Sequence, residues 1–288
     1  MSALLVKELR DRTGAGFLDC KKAIEASDGD IEKAIVWLQE KGAAKAAKKA
    51  GAIAADGVVS IKVKDNKAVI YEVNSQTDFV AGNEKFLALV EKIGQALVSG
   101  TFSSAAEANQ IIINRKTIAE LCVEATATIG EKIELRRAEL VKTSEDEKIG
   151  AYVHVNKRVA ALLITKGGTE ETTRNVAMHI ASMNPQFLDE DSVPSEQVGK
   201  MKAEIAESDS LKSRPEHIRE NIAKGMLRKK LSELTLVYQE FVMEKMPVKK
   251  YLTDKGAVAK KMIRYEVGEG IEKAEVDFAA EVAAQMAS

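Results

Sequence analysis

The sequence predicts an α+β fold, and three observations carry that prediction. Residues 1–50 repeat apolar side chains at helical spacing. From Gly57, and again from Gly150, the period drops to two over a pair of strands and then returns to helical. Between the second of these units and the last strand lie two helices with narrow apolar stripes and much charge. The expected architecture is an N-terminal three-helix domain and a two-part ββα-type core with antiparallel sheets. An antiparallel helical hairpin is inserted in the second part, and a helical module ends the chain. The divisions read from these shifts are residues 1–55, 56–142, 143–185 with 234–268, 186–233 and 269–288.

In the first helix Leu5 and Leu9 share a face, and Gly14 is placed to end it as a C-cap. "FLDCKKAIEAS" forms the second, with Cys20, Ala23 and Ile24 inward. Asp28-Gly29-Asp30 turns the chain, and Asp30 is placed to cap a third helix carrying Ile31, Ala34, Ile35 and Leu38 beside Trp37. "KGAAKAAKKAGAIAADG" reads as a helical connector with a solvated lysine face.

Val59, Ile61 and Val63 alternate up to a turn at Asp65-Asn66, and Val69, Tyr71 and Val73 return, which describes a β-hairpin. Helices are expected from about Glu84 to Val98 and across Ser104 to Thr128, then a strand in "EKIELRRAELVK". The second hairpin, "GAYVHVNKRVAALLITKGG", precedes the helix "EETTRNVAMHIASM", which Asn184-Pro185 closes. The repeated order suggests two related halves.

In the inserted hairpin, Val198, Met201 and Ile205 line one helix; Ile218, Ile222 and Met226 line the other. Ser213 with Glu216 reads as its capping box, and Pro215 sits in the first turn. Such stripes bury little area and fit pairing within one chain or between two. A short helix near Pro247 to Thr253, the strand "VAKKMIRYEV" and a helix in "VDFAAEVAAQM" follow.

The 288 residues carry 43 Lys plus Arg against 44 Asp plus Glu, a net charge of −1. That balance argues against a protein whose main work is gripping phosphate backbones, so direct nucleic-acid binding is not expected. No apolar run approaches the roughly 20 residues of a membrane span, and the first residues lack a signal-peptide core. Cys20 and Cys122 read as reduced thiols, which fits the cytoplasm. Neither they nor His154, His179 and His217 have metal-ligand spacing, so no metal and no cofactor is expected.

Enzyme signatures are missing too: there is no G-x-S-x-G elbow and no G-x-x-x-x-G-K-[ST] loop. Gly268-x-Gly270 in "EVGEGIEK" is a turn rather than a dinucleotide fingerprint. His179 reads as a satisfied structural histidine, His217 as solvated, and His154 as a partner contact, a packing residue or simply exposed. Paired carboxylates abound, and none is set among apolar neighbours. Covalent catalysis is therefore not expected.

One short stretch resists this local reading. In "VNSQTDFVAGNEKF", Asp78 and Phe79 stand together where the chain turns from strand to helix. From the residues alone, Phe79 packs into its own core, as most phenylalanines do. Asp78 then caps a single turn ending at Gly82, before Asn83 caps the next helix.

Five blocks, "LVKELRDRTGAGFLDCKKAIEASDGDIEKAI", "KAAKKAGAIAADG", "EVNSQTDFVAGNEKF", "AMHIASMNPQF" and "IRYEVGEGIEK", resemble the bacterial elongation factor Ts family, in the family's order. The first block is also similar to ubiquitin-associated (UBA) domains through Gly16-Phe17 and Trp37-Leu38. The resemblance implies a UBA-like first domain, an inserted hairpin of coiled-coil type, and no enzyme but an exchange factor for the GTPase elongation factor Tu. It implies that Thr77, Asp78, Phe79 and Val80 disturb the site where that partner holds Mg²⁺ with GDP. It puts Phe79 on the surface, against the local reading. Family members often carry two methionines where this chain has Phe17 and Leu18, whose apolar side chains keep a docking contact feasible, with His154 as a further contact. Homodimerisation through the hairpin stays open. Two other classes fit parts of the sequence. A UBA-like adaptor would need only the first fifty residues, and an RNA-binding scaffold would depend on Lys45, Lys48 and Lys49 and collapse with salt.

Overall fold

The computed structural model describes residues 3–272. The expected terminal helix in "VDFAAEVAAQM" and most of the segment 269–288 lie outside them.

Helices α1 (Ala3–Thr13), α2 (Phe17–Ala26) and α3 (Ile31–Lys49) close around Val6, Leu9, Cys20, Ala23, Ile24 and Ala34. Asp30 caps α3 by accepting from the Lys33 amide at 3.0 Å. The alanine- and lysine-rich connector continues α3 to Lys49. Its lysines face solvent, but Gly42 and Ala46 are buried. A Cβ on Gly42 would come within 2.8 Å of Ala127, so backbone approach at this crossing depends on glycine.

The core follows the period change. Strands β1 (Asp56–Lys64) and β2 (Lys67–Ser75) pair antiparallel around a turn where Asp65 takes a positive φ of 53°. The one-turn α4 (Asp78–Ala81) and the longer α5 (Glu84–Ser99) follow. The helix expected across Ser104 to Thr128 is instead α6 (Ala105–Asn109), the two-residue strands β3 (Ile112–Ile113) and β4 (Lys116–Thr117), and α7 (Ile118–Ile129). Asn114 and Arg115 both take positive φ, 51° and 70°, which turns the chain back within two residues. Strand β5 (Glu134–Lys142) then joins β2, giving the sheet order β1-β2-β5.

The second half repeats the plan. Strands β6 (Glu147–Val153) and β7 (Val159–Gly167) form the hairpin, and α8 (Glu170–Met183) begins on the Thr169 cap and ends on Asn184 in the left-handed conformation. Helices α9 (Ser195–Glu207), α10 (Asp209–Lys212) and α11 (Glu216–Leu234) make the inserted excursion. A 3₁₀ turn at Leu236–Tyr238 and α12 (Val248–Asp254) return the chain to β8 (Ala257–Glu266), and the second sheet runs β6-β7-β8.

Alternation along the strands buries both faces of each sheet. Val58, Val69, Tyr71, Val73 and Leu135 meet the helices of the first half around Phe86, Ile93 and Leu97. Val59, Ala68 and Ile70 point the other way, onto Ala160, Leu162 and Ile164 of the second sheet. Outside the second sheet, Val176, Ile180, Leu236 and Leu252 form the outer core. The result is helices, two back-to-back sheets, and helices again.

Two expectations in the excursion need correction. Ser213 does not cap α11: it ends the extra turn α10, and Pro215, extended at ψ 138°, is the N-cap without a side-chain bond. Proline disfavours helical conformation in the residue before it, so no box spans Ser213 and Glu216. The packed seam of α11 lies at Leu227, Leu231 and Leu234 against Val193, Val198 and Met201. Ile218, Ile222 and Met226 stay half-buried.

A third correction concerns Glu72, a carboxylate that is fully buried. The β2 alternation puts it on the inter-sheet side, beside the bulge at Glu72/Val73. It accepts from both Arg136 and Arg137, from Asn74 at 2.9 Å and from the Gly268 amide at 2.8 Å. Those donors offset its desolvation and pin the glycine turn after β8 to the first sheet.

Candidate functional site

The stretch between β2 and α5 is short, and its backbone is anchored at Thr77 and from Val80 to Asn83. Thr77, not Asp78, caps α4, accepting from the Val80 amide at 3.4 Å. Asp78 is the first residue of that turn, where a carboxylate is favourable beside free amides. Asn83 caps α5 as expected, accepting from the Lys85 and Phe86 amides at 2.9 and 3.3 Å.

Support from behind comes from a segment that sequence reasoning missed. Glu131, between α7 and β5, accepts from the Thr77 amide at 2.9 Å and the Thr77 hydroxyl at 2.7 Å. The Lys132 amide donates to Gln76 Oε1 at 3.0 Å, and the Ser75 hydroxyl donates to the Thr77 carbonyl at 2.9 Å. Nothing in "GEKIEL" distinguishes Glu131 from the many other carboxylates of so charged a chain.

Within this frame the side chains divide. Val80 is buried in the helix-side core of the first half. Phe79 points the opposite way and is 87% exposed. The local expectation that Phe79 packs into its own core is therefore wrong for the free chain. One helical turn cannot bury neighbouring positions on one side, and Val80 takes the inward place. The Asp78 side chain is exposed and makes no hydrogen bond among the described residues. A phenyl ring held out by an anchored turn is costly to leave in water, about 1.5–3 kcal/mol that burial would recover.

Phe17 and Leu18 begin α2 and are 56% and 68% exposed. Cys20, two residues on, is inward; burial pushes its thiol above the ordinary range. His154 lies in the β6–β7 turn, exposed beside Val155, with Nδ1 3.0 Å from the Tyr152 hydroxyl. His179 is fully buried: its Nδ1 accepts the Val242 amide and its Nε2 meets Gln239 Oε1 at 2.9 Å. His217 is exposed.

The fold ties these segments together. Asp56 pairs with Ser75 in the first sheet and holds Arg158 at 2.7 Å, while the Val59 amide donates to the Lys157 carbonyl at 2.8 Å. The His154 turn is thereby brought to the end of the sheet from which Thr77–Val80 departs. On the other flank, the Lys85 ammonium reaches the Gly14 carbonyl at 2.9 Å, just before Phe17. Among the described residues no helix is long and apolar enough to cross a membrane, and no group of three or more His, Cys, Asp or Glu is arranged to hold a metal ion.

A family model described as Elongation factor TS matches residues 76–269. Elongation factor Ts of Mycoplasmopsis pulmonis is 53% identical over 284 residues, spanning 98% of this chain and 97% of the relative. That of Mycoplasma mobile is 49% identical over the same length and share of each chain. That of Pediococcus pentosaceus is 42% identical over 287 residues, 99% of this chain and 98% of the relative. With identity of this level running from the three-helix unit to the segment past the second sheet, the chain belongs to the elongation factor Ts family.

Proposed function

We propose that the chain is the guanine nucleotide exchange factor for elongation factor Tu. It binds the GDP-bound partner, disturbs the Mg²⁺ and phosphate site, and holds the nucleotide-free state until GTP enters. The observation that carries this reading is Phe79, 87% exposed on a turn anchored at Thr77 on one side and from Val80 to Asn83 on the other. A flexible loop could hide its aromatic; this one keeps it presented.

GDP in such a GTPase is held by backbone amides, a lysine and Mg²⁺ that offsets phosphate charge. Exchange requires that the factor bind the open state more tightly than the GDP-bound state. The coupling is reciprocal, so entering nucleotide weakens the factor's grip by the same ratio. Phe79 acts as the wedge: its burial in the partner favours only the state in which the pocket is open. Asp78 accepts from donors freed in that state, or repels the phosphates. Thr77 and Val80 hold the turn in place. Phe17, Leu18 and His154 supply further contacts to the partner.

On this reading the divisions at 1–55, 56–142, 143–185 with 234–268, 186–233 and 269–288 are working units. The first is a UBA-like docking module, and the inserted hairpin is a coiled-coil projection that could pair with a second copy. The protein performs no covalent chemistry and works in the cytoplasm.

Release of a fluorescent GDP analogue from elongation factor Tu tests the site. Phe79→Ala should slow stimulated release about 10- to 150-fold, the equivalent of 1.5–3 kcal/mol of lost burial. Asp78→Ala should also slow it, and both variants should unfold at the wild-type urea midpoint. Wild-type release rates from both would refute the wedge.

A further inference from the structure

Residues 3–50 and the core are separate packing units, and the long helix α3 of the first docks on the second. Helix α3 leaves the three-helix cluster and lies along α7, where Gly42 and Ala46 are buried and Gly42 closes on Ala127. The α1–α2 end of the unit packs on α3 rather than on that crossing, so a tilt of the unit would pivot there. A wide cleft between the unit and α7, of about 1040 Å³ and lined in part by Trp37, Leu38 and Val123, leaves room for such a tilt. Near the part of the cleft lined by Thr13, Ala15 and Gly16 there is a single side-chain tie to the core. Among the described residues, the bond from Lys85 Nζ to the Gly14 carbonyl is the one side-chain hydrogen bond between residues 3–50 and the rest of the chain; the Ala52 amide also donates to the Lys49 carbonyl, locally at the end of α3.

Lys85 stands in an unfavourable place for its own helix. It is the second residue of α5, where the amide ends of the helix repel a cation, and Glu84 beside it shows the usual choice. The cost is offset at the other end of the contact. Gly14 takes φ 68° as it ends α1, so its carbonyl lies at the negative terminus of that helix, which also carries the amide bond from Gly14 back to Arg10. The ammonium therefore joins the C-terminus of α1 to the N-terminus of α5. Gly14 lies three residues before Phe17, and Lys85 six residues after Phe79.

We infer that Lys85 is a positioning residue: its bond to Gly14 holds the exposed Phe17–Leu18 pair in a fixed relation to the exposed Asp78–Phe79 turn, so that both meet the partner as one preformed surface. The inference rests on the exchange reading for its consequence, while the fixed relation is a property of the free chain. Lys85 touches no nucleotide and does no wedging. Without it the chain samples orientations of which only some are competent, and apparent affinity falls by the competent fraction.

Two measurements on the full-length protein decide it. Spin labels on Lys21→Cys and Lys92→Cys, both exposed, report the relation of the two units in the free chain. The wild type should give one narrow distance distribution, Lys85→Ala a broad one, and Lys85→Arg, which keeps a long donor, a narrow one again. In stimulated GDP release, Lys85→Ala should raise the half-saturating concentration of the factor about 3- to 10-fold, for a competent fraction of about 0.1–0.3, with the maximal rate unchanged. Lys85→Arg should restore it. A narrow, unshifted distribution for Lys85→Ala overturns the inference, as does a half-saturating concentration equal to the wild type's. Failure of the exchange reading looks different: Phe79→Ala would then keep the wild-type maximal rate, and the distance distributions would still decide the role of Lys85.

Discussion

Replacing Glu131 with alanine removes the support behind the Asp78–Phe79 turn without touching the turn. In the native chain its carboxylate takes two bonds from Thr77, at 2.9 and 2.7 Å, and Thr77 in turn caps α4. Hydrogen bonds to a charged group contribute about 1.5–3 kcal/mol each. Glu131 and Thr77 are half-buried, so water takes up part of the loss. The two bonds together should be worth about 1.5–3 kcal/mol of local stability. That equals a fall of about 10- to 150-fold in hydrogen-exchange protection at the Thr77 amide. Protection at Tyr71 and Val73, inside the sheet, should hold, because Val80 and the strands keep their packing. Stimulated GDP release should slow with the loss of a preformed turn, and Glu131→Gln, which keeps one acceptor, should fall between alanine and wild type. Unchanged protection at Thr77 in Glu131→Ala would refute the claim that this carboxylate holds the turn.

Other consequences follow from the buried polar groups. Burial lowers the His179 pKa from its ordinary 6.5. Above that pH both folded and unfolded chains carry a neutral ring; below it only the unfolded chain gains the proton, so stability falls with pH until the lowered folded value is reached. The slope reaches at most about 1.4 kcal/mol per pH unit. His179→Asn should lose that component between pH 7 and 5.5 in urea titrations, and equal slopes would contradict it. For Glu72, Glu72→Gln leaves Arg136 and Arg137 facing an amide and should lower stability by about 3 kcal/mol. That is the low end for breaking a buried pair, because both guanidinium groups keep some solvent contact; a urea midpoint within error of the wild type would show the cluster to be dispensable.

The sequence displayed the periodic elements well where punctuation agreed with period. "EETTRNVAMHIASM" forms α8 over the same residues, because Thr169 opens it and Asn184-Pro185 stops it. Both hairpins form where alternation ends at polar turns. What failed was punctuation of uncommon kind. Asn114-Arg115 makes a left-handed turn without glycine, so nothing in the pattern marks a break in the helical region Ser104 to Thr128. Ser213 and Glu216 have the spacing of a capping box, but Pro215 between them starts the helix late. Pair contacts distant in sequence were illegible: the docking of Gly42 on Ala127, the burial of Glu72, and the grip of Glu131 on Thr77 leave no periodic trace. At the candidate site, local pattern could place a turn at Asp78-Phe79 but not tell which side faced out. The family resemblance supplied that direction, and the exposure of Phe79 agrees with it.

The most direct measurement is the rate of release of a fluorescent GDP analogue from elongation factor Tu, with and without the chain. Micromolar chain should accelerate release, with the acceleration saturating as the factor fills its partner. Release at the intrinsic rate across that range would contradict the exchange reading.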